Sequence, residues 1–233
     1  MNYSRRDAIE FSGGAIAAFS LGAATLRGAV AQAAEPAPDG LVETRLRNAA
    51  PLPLQPDGFA VEYTADDIEP IEGVLWKTND TPDIEFDYRR MRINLDVRGT
   101  ANLSGTLTFD HLEDLPRHSQ ITLLQCGAPI PRGIVKWTGV RFSDFAESIG
   151  GQDFAYYARF VGSDGYYIDE DVRTLMHPQV MLAWLLNDEP LPPQHGAPLR
   201  LVIPFRYGAR SMKAITDIEL SATSFTPREP WPA

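Results

Sequence analysis

The chain contains one cysteine, Cys126, at the end of the apolar run in "SQITLLQCGAPIPRG". A thiolate is both a nucleophile and a soft metal ligand. In an oxidising compartment an unpaired cysteine reads as an intermolecular bridge, a reactive thiol or a sulfur held by a metal. The plain alternative is a small buried hydrophobe, which is what most free cysteines are. A second group of chemically capable residues lies in "PPQHGAPLRLVIPFRYGARSMKAITDIEL", where His195, Arg200, Arg206, Arg210 and Lys213 surround one short strand and its turn. Arg presents a fork of donors matched to phosphate and Lys adds a point charge, so this cluster suits an anionic ligand. The alternative is a set of solvated charges paired with the acids of a chain whose formal net charge is -10.

Other chemistries find less support. HExxH, CxxC, CxxCH, GxSxG, a phosphate-binding P-loop and a dense Asp loop are all absent, which argues against zinc, c-type haem, EF-hand calcium and serine hydrolysis. His111, His118 and His177 lack ligand spacing and read as surface or capping residues. Asp164 and Asp169 flank "GYYID", but a carboxylate pair in an acidic chain is weak evidence for acid–base work. The negative net charge also works against a phosphate-backbone grip, so nucleic acid is not an expected partner.

These residues need elements to hold them. "RINLDVRG", "GTLTF", "QITLLQC", "DFAYYARFVG", "PLRLVIPFRYG" and "AITDIELSATSF" carry strand patterns, the third ending on the cysteine. In "DHLEDLP", Asp110 and Glu113 suggest a capping box, and Pro116 stops the short helix. "WTGVRFSDFAESIGG" predicts a turn at Gly139, then a helix capped by Ser143 and ended by Gly150. "HPQVMLAWLLND", apolar on every side after Pro178, predicts a buried helix. Strands and helices interleave without regular alternation, so the expected class is α+β, a mixed β-sheet with flanking helices.

The N-terminus, "MNYSRRDAIEFSGGAIAAFSLGAATLRGAVAQAAEP", has paired arginines, a weakly apolar Ala/Gly stretch and small residues near Ala31 and Ala33. It reads as an export signal, similar to the twin-arginine type that carries folded proteins to the periplasm. Glycines, Ser20 and Arg27 interrupt the apolar run well before bilayer length, so no permanent membrane span is expected. The expected layout is a signal over 1–33, an extended lead-in over 34–73 rich in Pro and polar residues, a main domain over 74–225 and a tail over 226–233.

Taken in order, "LLQC", "KWTGVRFSDF", "DGYYID" and "MHPQVMLAWLLNDEPLPPQHGAPLRLVIPFRYGARSMKAITDIEL" resemble the sulfite oxidase family of molybdopterin-dependent oxidoreductases. The short link after the cysteine is similar to that of the periplasmic bacterial branch, which includes the molybdenum subunit of protein-methionine-sulfoxide reductase. The resemblance implies a mixed α+β fold holding molybdenum-molybdopterin, with Cys126 as metal ligand and oxygen-atom transfer as the reaction. Carried over by position, Asn79, His195, Arg200, Ser211, Met212 and Lys213 would hold the pterin and its phosphate. Lys77, Arg132 and Tyr166 would face substrate, a small oxide, an oxidised side chain or an oxidisable anion. Where sulfite-oxidising members carry an arginine in a motif like "FFVRNH", this chain has "VLWKTNDTP". The chain ends soon after its last strand pattern, with no dimerisation or haem domain in view. A separate redox protein is therefore the expected electron partner. The competing expectation is a non-catalytic binding protein that keeps the same fold.

Overall fold

A computed structural model describes residues 51–71, 84–126 and 132–228. Among these residues ten strands form two sheets. The first has the order β2 (Gly105–Leu107), β1 (Ile93–Asp96), β10 (Ile215–Ser221), β5 (Tyr157–Gly162), β6 (Tyr167–Asp171). Its β1–β10 ladder is parallel and the others antiparallel, so the sheet is mixed. The second sheet is antiparallel, in the order β3 (Arg117–Gln125), β4 (Arg132–Arg141), β7 (Met181–Leu186), β8 (Glu189–Pro190), with β9 (Arg200–Val202) also on β7. Among the described residues three short α-helices flank the sheets: α1 (Asp110–Glu113), α2 (Phe142–Ser148) and α3 (Val172–Leu175). No described helix is long and apolar enough to cross a membrane.

The main core lies between the sheets. Ile93, Leu95, Phe160, Ile168 and Ile218 of the first meet Val140, Leu182, Trp184 and Leu201 of the second, with Phe142 and Phe145 of α2 completing the cluster. A smaller cluster covers the second sheet's other face, built from Leu124, Val135, Trp137, Met181, Ala183, Leu186 and Val202. Residues 51–71 lie against this sheet: Tyr63 N–H donates to Ile121 O at 2.9 Å, and Glu69 N–H to Ile134 O at 2.9 Å. Across the first sheet's outer face, Phe225 sits between the Arg98 and Arg159 guanidiniums, at 5.0 and 4.6 Å, while Arg228 pairs with Glu219.

Four sequence expectations change. "MLAWLL" is the strand β7, not a helix: Met181 and Ala183 face one cluster while Leu182 and Trp184 face the other. A strand buried on both faces loses its alternation and reads as one unbroken apolar run, as a buried helix does. Gly139 makes no turn; it lies inside β4 at a register shift against β7. A Cβ there would fall 1.9 Å from Leu182 O, so only glycine lets the strands approach. The start of α2 follows directly at Phe142, with no side-chain cap from Ser143, although the helix ends near Gly150 as expected. The capping box at α1 is also absent; instead Thr108 N–H donates to His111 Nδ1 at 3.2 Å.

Candidate cofactor site

Cys126 is exposed and immediately follows β3. The β3–β4 hairpin pairs Gln125 with Arg132, which sets Arg132 one register step from the thiol, exposed at the start of β4. The 208–213 segment packs against the same strand end. A Cβ on Gly208 would lie 3.5 Å from Gln125 O, so the turn over Gly208–Arg210 abuts the backbone that carries the thiol. Tyr166 approaches from the first sheet, its O–H donating to Ala209 O at 3.5 Å. The segment following Cys126, residues 127–131, lies outside the described residues, as do Lys77 and Asn79.

The basic cluster divides into three. Arg200 opens β9 opposite Ala183 and is 2 % exposed. Its guanidinium lies over the Trp137 ring at 5.0 Å and donates through Nη1 to His195 O at 2.9 Å. Among the described residues Nε has no hydrogen-bond partner and no carboxylate pairs with this cation. Burial pushes Arg200 down to about 9, still cationic at neutral pH. Lys213 belongs with it: burial first, then the charge of Arg200, push its amine down to about 7 against the opposing pull of Asp164. Lys213 Nζ donates to Gln194 O at 3.0 Å.

Local geometry explains this pairing. Gln194 and His195 sit in a 3-10 turn over Pro193–His195, which Gly196 leaves with φ 108. A Cβ at Gly196 would come within 3.0 Å of Lys213 Cβ, so a glycine able to adopt positive φ lets this turn pack on the lysine stem. Ser211 and Met212 are buried for structural reasons: Ser211 Oγ accepts from Ile203 N–H at 3.0 Å and Met212 lies in the main core. Their side chains belong to the fold.

The other two cations turn elsewhere. Arg206 is exposed and its charge acts on Asp171. Arg210 Nε donates to Glu170 Oε1 at 2.6 Å, with Nη2 on Asp169 O. Asp169 is itself held in a two-pronged pair by Arg159, at 2.6 and 2.7 Å, and so does not form an acid–base couple with Asp164. His177 lies between the Phe59 and Phe205 rings at 4.4 Å each, with burial lowering its pKa. Sequence reasoning missed Gln194, Trp137 and Gly208 as parts of the site. Only the Gly in "YGAR", at a turn beside cations, carried a signal for any of them.

Two mutually repelling cations, one of them buried and without a carboxylate among the described residues, leave an excess of positive charge that an anionic group would offset. The exposed thiol nearby is a soft donor for a transition metal. The donor set therefore fits a phosphate-bearing metal cofactor, which is the test that molybdenum-molybdopterin has to pass.

Comparison with known proteins agrees. Residues 79–229 match the family model described as the oxidoreductase molybdopterin binding domain. The protein-methionine-sulfoxide reductase catalytic subunit MsrP of Xanthomonas campestris is 31% identical over 142 residues, covering 52% of this chain and 42% of that protein. The mitochondrial sulfite oxidase of Drosophila melanogaster is 30% identical over 151 residues, covering 53% of this chain and 26% of that protein. This chain thus spans less than half the length of either relative. The sulfane dehydrogenase SoxCD of Paracoccus pantotrophus shares the fold, with a TM-score of 0.54 at 19% identity over 60% of this chain and 40% of that one. The cofactor of this group is molybdenum-molybdopterin, and the chain belongs to the molybdopterin-binding oxidoreductases of the sulfite oxidase family, in their bacterial methionine-sulfoxide-reductase-like branch.

Proposed function

We propose that this oxidoreductase is exported to the periplasm through its twin-arginine-like signal, already loaded with cofactor, and that Cys126 ligates the molybdenum. Arg200 and Lys213 hold the phosphate, His195 and the main chain of Ser211, Met212 and Lys213 line the pterin, and Asn79 completes its contacts. The observation that carries this reading is the buried Arg200 guanidinium, which has no carboxylate partner among the described residues, beside an amine that its charge disfavours. An anion there turns mutual repulsion into shared attraction.

When bound, the molybdenum centre supplies two-electron oxygen-atom transfer; the protein supplies binding, orientation and electrostatics. Cys126, exposed at a strand end, gives up its thiol proton to solvent on ligation. Arg132, paired in register with Gln125 next to the thiol, is a cation suited to orienting an oxide oxygen, with Tyr166 and Lys77 as further substrate-facing candidates. The substrate class is a small S- or N-oxide, an oxidised side chain or an oxidisable anion. Reduction of an oxide consumes two electrons and two protons and releases water; oxidation of an anion takes oxygen from water and runs the same balance in reverse. In either direction a separate redox protein exchanges the electrons. The names of the relatives, a methionine-sulfoxide reductase and a sulfite oxidase, favour sulfur-bound oxygen.

The test is molybdenum per chain by elemental analysis, with pterin fluorescence after oxidation, on wild type and Cys126→Ser made in a host that synthesises the cofactor. Near-stoichiometric metal that becomes labile in the variant supports the assignment. Well-folded wild type lacking both metal and pterin overturns it. For export, a reporter fusion with Arg5→Lys and Arg6→Lys should stay in the cytoplasm; continued export counts against the twin-arginine route.

A further inference from the structure

Arg210 stands within the cation-rich segment, yet the fold uses its charge internally. Its Nε donates to Glu170 at 2.6 Å and its Nη2 to the Asp169 carbonyl, both on β6, the edge strand of the first sheet. Glu170 is 5 % exposed, and a carboxylate that deep requires a charged partner. Two of its donors are thus committed inside the protein rather than left for a ligand phosphate. It instead occupies the midpoint of the segment that carries the site. Before it, Gly208 abuts Gln125 beside the thiol and Ala209 O accepts from Tyr166. After it, Ser211 Oγ accepts from Ile203 N–H and Lys213 reaches Gln194 O.

We infer that Arg210 is a positioning residue. Its ion pair with Glu170 clamps the 208–213 segment to the first sheet, and so fixes Lys213 and the main chain before it in the place where the phosphate is held. The inference rests on the assignment of Ser211, Met212 and Lys213 to the cofactor made above. The segment has contacts with both sheets, and the Arg210–Glu170 ion pair joins it to β6. Loss of the pair leaves Glu170 buried without compensation and removes this anchor from the turn. Partners that orient ligand-binding groups in this way typically change ligand affinity about 10–100-fold when removed.

The experiment compares holoprotein of wild type, Arg210→Ala, Glu170→Gln and Lys213→Ala, with Arg159→Lys as a control. Arg159 forms a comparable pair with Asp169 on the same strand, and its other contacts run to Thr226 O and the Tyr167 and Phe225 rings rather than towards the site. The readouts are molybdenum and pterin per folded chain, the rate of cofactor loss on incubation, and the thermal midpoint. The expected result is cofactor loss about 10–100-fold faster in Arg210→Ala and Glu170→Gln, while Arg159→Lys lowers the midpoint and keeps the wild-type loss rate. Should Arg210→Ala fold poorly, the near-isosteric Glu170→Gln carries the test. Wild-type loss rates in the folded Arg210 and Glu170 variants, or losses matched by Arg159→Lys at equal midpoint, overturn the positioning role. Fast loss in Lys213→Ala alongside such rates confines the failure to Arg210. A wild-type rate in Lys213→Ala itself overturns both the role and the assignment beneath it.

Discussion

Replacing Arg200 by Met should separate stability from cofactor binding in opposite directions. The guanidinium is 2 % exposed, and burial depresses it to about 9. At about 1.4 kcal/mol per pH unit, that depression corresponds to a burial cost of roughly 5 kcal/mol. Two contacts offset part of it: the Trp137 face, worth ~1–2 kcal/mol, and the charged hydrogen bond to His195 O, worth ~1.5–3 kcal/mol. The sum leaves Arg200 between neutral and a few kcal/mol unfavourable to the cofactor-free fold. Met follows a similar path over Trp137 and carries no charge. Arg200→Met should therefore leave cofactor-free stability unchanged or raised by up to about 2 kcal/mol, consistent with the general result for replacing buried charges by apolar groups. The same variant should retain little cofactor and lose the stabilisation that bound cofactor gives wild type. The assay is denaturant unfolding of cofactor-free protein near neutral pH, together with molybdenum content of protein made with cofactor. A loss of about 3–5 kcal/mol in the cofactor-free variant, the signature of breaking a paired buried charge, would refute the reasoning, as would full cofactor retention.

Lys213 predicts a pH dependence. Its folded-state pKa, lowered to about 7 from an ordinary 10.5, means that between these values the unfolded chain binds more protons than the folded one. Stability of cofactor-free protein should then rise with pH from about 7 towards 10.5 through this group, and Lys213→Met should flatten that rise in a thermal-midpoint series. Bound cofactor phosphate should also flatten it by holding the amine charged; an equal slope in both forms contradicts the shared site. Gly139→Ala should destabilise by roughly 1–3 kcal/mol or more, because its Cβ would meet Leu182 O at 1.9 Å. Denaturant unfolding checks this, and a near-neutral result would mean that β4 and β7 separate more easily than their register implies.

The chemistry of this site was more legible in sequence than the elements that hold it. Cys126, Arg200 and Lys213 stood out by type and setting, because a lone thiol beside Gly and Pro and cations in an acidic chain are anomalies that survive without knowledge of the fold. The cluster of cations was too coarse a unit, however. Arg206 and Arg210 lie beside Lys213 in sequence, yet they face Asp171 and Glu170, acids brought near by β6 from far away in the chain. Strand β7 was misread for a physical reason: both its faces are buried, which erases the period that separates strand from helix. Gly139 marked close approach of two strands rather than a turn, a distinction set by Leu182, a partner remote in sequence. The stop signals at Pro116 after α1 and at Gly150 after α2 held because they depend on neighbouring residues alone, whereas the capping box expected at α1 is absent.

The most direct test of the central claim is the sulfur coordination of molybdenum, measured by X-ray absorption at the metal edge on wild type and Cys126→Ser holoprotein. The account predicts one sulfur neighbour fewer in the variant, because the pterin dithiolene remains and the cysteine thiolate is gone. An unchanged sulfur count in the two proteins would contradict Cys126 as the metal ligand.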